Sequence, residues 1–163
     1  MYIKTAYKGV FHLANHTHQI SLTLPQASVW AFIQDMDHWA PLIPGYLAHE
    51  MVSENEVTWV FEADLGFMKK PVKLKIDITE RQEPTNIQFK LEGLSDNFTG
   101  GGHFDISEID RVTSSLEGYL DISSGGLMGA MMNPILKTFV PKTIEELTNN
   151  IGVALTNNLS VSE

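Results

Sequence analysis

Between residues 46 and 123 the chain runs through six consecutive stretches in which apolar and polar residues alternate, and the stretch that follows switches to helical spacing. This switch constrains the fold more than any other feature. A period of two marks strands with one buried face, and a period near 3.6 marks a helix with one buried stripe. The six runs cover residues 46–53, 56–65, 70–79, 86–94, 98–109 and 112–123. They are separated by Glu54-Asn55, Gly66, Glu83-Pro84-Thr85, Ser95-Asp96-Asn97 and Asp110-Arg111, residue types that turns favour. Short turns between alternating runs predict an antiparallel meander with one dry face. Val57, Trp59, Phe61, Ala63 and Leu65 share one parity, and Val72, Leu74, Ile76 and Ile78 stand opposite Lys73, Lys75 and Asp77.

Upstream, His18, Ile20, Leu22 and Leu24 alternate with polar residues as a further strand that Pro25 ends. Val29, Phe32, Ile33 and Met36 then mark a short amphipathic helix, and the segment from Trp39 to Gly45 breaks regular structure with two prolines and a glycine. Downstream, Met128, Met132, Ile135 or Leu136, Phe139, Ile144, Leu147, Ile151 and Ala154 or Leu155 fall near one stripe within residues 125–158. Pro134 reads as a first helical residue with Asn133 as its N-cap, and Pro141 as a bend. The expectation is α+β: a curved antiparallel sheet of about seven strands wrapped around one long C-terminal helix. Residues 17–158 make a single domain, 1–16 an arm or extra strand without a clear period, and 159–163 a tail.

Twenty acidic against eleven basic residues give a net charge of -9, so attraction to a phosphate backbone lacks its main source and nucleic acid is not an expected partner. Zero cysteines exclude disulfides and thiolate chemistry and fit a cytoplasmic setting. No uncharged stretch supplies the roughly 20 apolar residues of a spanning helix.

The dry parity of the last three strands holds Ile87, Phe89, Leu91, Phe104, Ile106, Val112, Leu116, Leu120 and Ile122, but also Gly93, Gly100, Gly102, Ser114 and Gly118. Small residues at inward positions have two readings. Either glycine marks bulges, bends and close approach of the helix, or the concave face is under-filled and shelters a guest. In the second reading Trp59, Phe61, Phe89, Phe104, Leu116, Met132, Leu136 and Phe139 line the cavity, and His18 and Ser114 are its polar contacts. Met128, Met131 and Met132 cluster where the helix enters the sheet, with thioethers able to repack around varied shapes.

Catalytic signatures are missing. No carboxylate pair faces inward, there is no nucleophile elbow or phosphate loop, and Gly100-Gly101-Gly102 precedes strand instead of helix. His16 and His18 share a strand face but lack a third metal ligand, and His38, His49 and His103 read as surface or loop positions. No cofactor or metal is expected. Lysines 69, 70, 73 and 75 form a basic patch, read as a solvated face or as a docking site for an acidic partner or headgroups.

The block running Leu24-Pro-Gln-Ala-Ser-Val-Trp-Ala-Phe-Ile-Gln-Asp35, followed by Ile43-Pro-Gly45, resembles the opening of the carbon monoxide dehydrogenase G-subunit family. That family lies within the polyketide-cyclase, START and birch-pollen-allergen (SRPBCC) superfamily, and the resemblance extends over residues 18–155. It implies a helix-grip fold whose cavity holds lipids, sterols, quinones or polyketides, often without catalysis. G-subunit relatives are associated with membrane recruitment or maturation of a molybdenum-containing dehydrogenase, and some resemble quinone carriers. The sequence ends at Glu163 without the hydrophobic anchor some relatives carry, so tethering by such an anchor is not expected. No family catalytic residue carries over. Three readings follow: a non-catalytic carrier of a hydrophobic or amphipathic molecule, transiently touching the inner membrane face; an adaptor docking on a larger oxidoreductase; and a cyclase or dehydratase using His18 as acid or base.

Overall fold

In the computed structural model residues 14–162 are described, with side chains to residue 157. Strand β1 (Ala14–Leu22) buries alternate residues, and Pro25 then caps helix α1 (Gln26–Ile33), where Val29, Trp30 and Ile33 are buried. The strand begins at Ala14, three residues before the expected start, and residues 1–13 of the expected arm lie outside the described residues. Helix α2 (Met36–Trp39) is capped by Asp35, whose side chain accepts the Asp37 N–H, and a 3-10 turn (Ala40–Leu42) follows. In the Pro44-Gly45 pair Gly45 adopts φ +78°, and any β-carbon there would strike the Glu62 carbonyl. The turn therefore presses its backbone onto the neighbouring strand, an approach only glycine permits.

Six strands follow as the alternation predicts: β2 (Tyr46–Ser53), β3 (Glu56–Asp64), β4 (Lys69–Gln82), β5 (Asn86–Gly93), β6 (Phe98–Asp110) and β7 (Thr113–Ser124). They form one antiparallel sheet in the order β1-β7-β6-β5-β4-β3-β2, so the meander is closed by the first strand pairing beside the last. After a second 3-10 turn (Gly126–Met128), helix α3 (Gly129–Ser162) crosses the concave face, chiefly over β1 and β7. Its buried residues, Leu136, Val140, Ile144, Leu147, Ile151 and Leu155, recur at spacings of three and four.

Two linked expectations at the start of α3, Pro134 as its first residue and Asn133 as its N-cap, are corrected. Pro134 is inside the helix and is not its first residue. The Asn133 amide, instead of capping its own helix, accepts the Ser124 N–H at 2.8 Å and donates to the Ser124 carbonyl at 3.1 Å, clamping α3 to the end of β7. The helix runs as a single element through Pro141.

The interior is filled from an unexpected source. Trp39, at the end of α2, is 1% exposed and lies against Trp59, Phe89 and Phe104, with ring centroids 5.8, 5.8 and 5.2 Å away. The small inward residues are likewise accounted for. Added β-carbons at Gly93, Gly100 and Gly102 would collide with the carbonyls of Asp96, Asp121 and Tyr119, so these positions mark close backbone approach. At Gly118 the space belongs to Thr148, Ile144 and Phe104. The first reading of these glycines therefore holds over this part of the sheet.

Candidate functional site

The concavity lies at one end of the grip, where three connections meet. In the β3–β4 loop Gly66 takes φ +93°, its N–H bonds Asp64 Oδ1 at 2.9 Å, and the Leu65 N–H bonds the Met68 carbonyl. This tight loop turns Phe67 and Met68 outward, leaving Phe67 67% exposed. In the β5–β6 loop the Asn97 carbonyl accepts the Gly125 N–H at 2.9 Å, tying it to the β7–α3 connection. There Leu127 is fully exposed, and Met128 and Met131 are more than half exposed.

Together these segments surround a mouth of about 370 Å³, lined by Leu65, Phe67, Met68, Phe98, Leu127, Met128, Met131 and Met132 and rimmed by the Lys70–Asp96 ion pair at 3.3 Å. Large apolar side chains left exposed around a hollow commonly mark a binding surface. Behind the mouth lies a slot of about 20 Å³ with wholly apolar accessible walls, formed by Phe61, Ala63, Val72, Leu74, Ile122, Leu136 and Phe139. Leu65, Lys70 and Phe98 line both, so mouth and slot adjoin. A slot this size has room for about one water, and apolar walls tend to leave such a space dry. Phe139 also borders a cleft of about 260 Å³ on its other side, lined by Pro44, Gly45, Glu62, Asp64, Lys69, Lys142, Thr143 and Glu146. Its ring lies parallel to Phe61, 6.5 Å away at 7°, as a partition between slot and cleft.

Of the ten residues expected to contact a guest, Phe61, Leu136 and Phe139 line the slot and Met132 lines the mouth. The other six line neither. Trp59 donates its indole N–H to the Ala40 carbonyl at 2.7 Å, and Phe89 and Phe104 belong to the Trp39 cluster. Leu116 is completely buried, and the buried Ser114 hydroxyl donates to the Leu24 carbonyl. His18 Nε2 is 3.0 Å from Asn149 Oδ1 on α3, and His16 Nε2 is 2.9 Å from Glu145 one helical turn earlier. The two imidazoles thus tie β1 to α3 separately and do not converge on one ion. His49 sits in β2 and not in a loop; its Nδ1 lies 2.7 Å from the Tyr46 hydroxyl and its Nε2 2.6 Å from Asp37.

Leu65 and Val72 stand on the dry parity in the sequence but are not among the expected guest contacts, and neither are Trp39 and Phe98. Phe98 shares the parity of Gly100 and Phe104, a signal that could have found it. Trp39 lies in the proline-broken segment, where no period exists to read. Lys70 and Asp96 are the ionisable residues lining mouth and slot, and they neutralise one another. The arrangement is suited to holding apolar matter by burial, worth about 25 cal/mol per Å² of apolar surface removed from water.

Among the described residues no helix is long and apolar enough to cross a membrane. The model of the carbon monoxide dehydrogenase G-subunit (CoxG) family matches residues 19–156. A comparison with curated proteins gave no match. Similar solved structures include a conserved protein from Geobacillus kaustophilus, at 18% identity and TM-score 0.70, covering 88% of this chain and 95% of that one. The Zhui aromatase/cyclase from Streptomyces sp. R1128 superposes at 14% identity and TM-score 0.70, covering 91% and 96%. A START superfamily protein from Mycobacterium smegmatis does so at 14% identity and TM-score 0.65, covering 88% and 97%. At such identities the likeness is one of fold.

Proposed function

The chain belongs to the carbon monoxide dehydrogenase G-subunit (CoxG) family, and on that premise we propose that it is a non-catalytic binding protein for a hydrophobic or amphipathic small molecule of lipid, quinone or polyketide-like character. The observation that carries this reading is the apolar mouth of about 370 Å³ adjoining the slot between sheet and α3. A guest enters between the β3–β4 loop and the first turns of α3, with its apolar end toward Phe61, Leu136 and Phe139. The slot is too small for that end as it stands, so binding must displace side chains. Met131, Met132 and Phe139 are the ones to move, since unbranched methionines repack at low cost. The exposed ring of Phe67, Leu127, Met128 and Met131 is the surface that would touch a membrane when the guest is collected or delivered.

Native mass spectrometry and lipid extraction of purified protein, with fluorescent hydrophobic-probe titration, test the proposal. A co-purifying guest, or a probe displaced by lipids or quinones and blocked by Ala63→Phe, is the expected result. Protein that carries nothing and binds no probe overturns it.

The filled interior around Trp39 and Gly118 favours a second reading, an adaptor that docks on a larger oxidoreductase without any guest. Guest-free protein that binds such an enzyme, and loses it when Lys73 and Lys75 are changed to Glu, would select this alternative. No observation favours a cyclase or dehydratase role for His18, which is bonded to Asn149 and lines neither mouth nor slot.

A further inference from the structure

The outer face of the sheet, opposite α3, carries a cluster that the binding reading does not use. His103 and Asp105 on β6 face Tyr119 and Glu117 on β7, with Asp105 and Glu117 as direct register partners. Like charges directly across a strand pair destabilise it. Their flanking partners are neutral: Asn86 and Gln88 on β5, Thr17 and Gln19 on β1. A cation between the carboxylates would relieve this repulsion, and no lysine or arginine stands at these positions.

We propose that His103, Asp105 and Glu117 bind a divalent transition metal, zinc in the first instance. His103 Nε2 lies 3.4 Å from Asp105 Oδ2 and 3.3 Å from Glu117 Oε1, and one ligand atom from each residue falls within 4.8 Å of the other two. Zinc bonds of about 2.0–2.1 Å to nitrogen and oxygen place tetrahedral ligand atoms about 3.4 Å apart, so the imidazole-to-carboxylate separations match a tetrahedron's edges. Three protein ligands leave a fourth position for water. Two of the three ligands are also held by neighbours outside the cluster. The His103 ring stacks on Tyr119 with centroids 5.0 Å apart at 19°. Asn86 Nδ2 donates to Asp105 Oδ1, leaving Oδ2 toward the imidazole.

The competing account is a second proton on His103, which would pair with both carboxylates and need no metal. Calorimetric titration of chelator-treated protein with zinc chloride separates the two, together with visible spectra after cobalt(II) addition and melting curves. The expected result is one zinc per chain, tetrahedral cobalt bands, and affinity reduced about tenfold or more in both His103→Ala and Glu117→Gln but unchanged in His16→Ala. Zinc should raise the melting temperature of the native protein and not that of Glu117→Gln. Absence of binding up to millimolar zinc overturns the proposal, as does binding that survives both substitutions. Metal-free Glu117→Gln melting below the native protein, with zinc stabilising neither, assigns the cluster to the imidazolium pair.

Discussion

Thr148 of α3 sits directly over Gly118 of β7, its hydroxyl filling the place where a β-carbon at residue 118 would stand. The helix reaches the sheet here because the strand offers no side chain. At Gly118 this contact decides between the two explanations of inward glycine: the gap is occupied by the protein itself.

Gly118→Ala should therefore destabilise the fold by about 1–3 kcal/mol, the usual range for an extra methyl forced into a packed core. The loss should shrink in the double variant Gly118→Ala, Thr148→Ala, which removes the colliding group. Urea unfolding of the four proteins in the cycle gives the coupling. A harmless single substitution would mean that α3 stands off the sheet, with a hollow beneath it.

Thr148→Val should stabilise. The Thr148 hydroxyl is completely buried and has no hydrogen-bond partner among the described residues. An unsatisfied buried hydroxyl costs about 1–3 kcal/mol, and valine keeps the shape while removing the polar atom. A gain of about 1 kcal/mol in urea unfolding is expected. A loss would show that the hydroxyl has a partner, either an ordered water or a guest.

The strands and α3 were legible because both are half-buried elements whose hydrophobic residues must recur with the backbone's own period. The interior was less so. Parity says that Gly118 faces inward, but not that Thr148 faces Gly118, because that pairing depends on how α3 lies across β7. Trp39 escaped for a related reason: its segment has two prolines and no period, yet it delivers the side chain around which Trp59, Phe89 and Phe104 gather. With that space taken, the concavity moves to the loops, where Phe67 and Leu127 carry no periodic signal. Four of the ten expected contact residues face it because they extend the strand and helix stripes to that end.

Asp121→Asn should stabilise the protein at neutral pH and lose that benefit in acid. Asp121 is half-buried on the outer face, accepts hydrogen bonds from Tyr119 and the Gly101 N–H, and faces Asn15 of β1 across the strand pair. Burial pushes its carboxyl above the usual 3.8, outweighing those hydrogen bonds. The folded state then holds the proton more tightly than the unfolded chain, so native stability falls as pH rises from 3.8 through the folded value. The asparagine variant does not pay this charge penalty. Its advantage in melting temperature should be largest at neutral pH and fade below pH 3.8. An equal advantage at both ends would trace the effect to packing.

Phe139→Ala should open the binding region and sharpen the test of the guest hypothesis. The Phe139 ring is the partition between the apolar slot and the cleft of about 260 Å³ beside Lys69 and Lys142. Removing it joins the two, leaving the Phe61 face free on that side. Because Phe139 is only partly buried, the stability cost should fall below the roughly 3–5 kcal/mol of a fully buried phenylalanine. If the slot is where a guest's apolar end goes, the larger space should bind a hydrophobic fluorescent probe more tightly or take up longer chains. Leu47→Ala, on the exposed face of β2, serves as a control with no expected effect. A folded Phe139→Ala protein whose probe binding matches the native protein would place the guest, if there is one, in the mouth alone. A result in which neither protein binds any probe would leave the adaptor reading in possession of the fold.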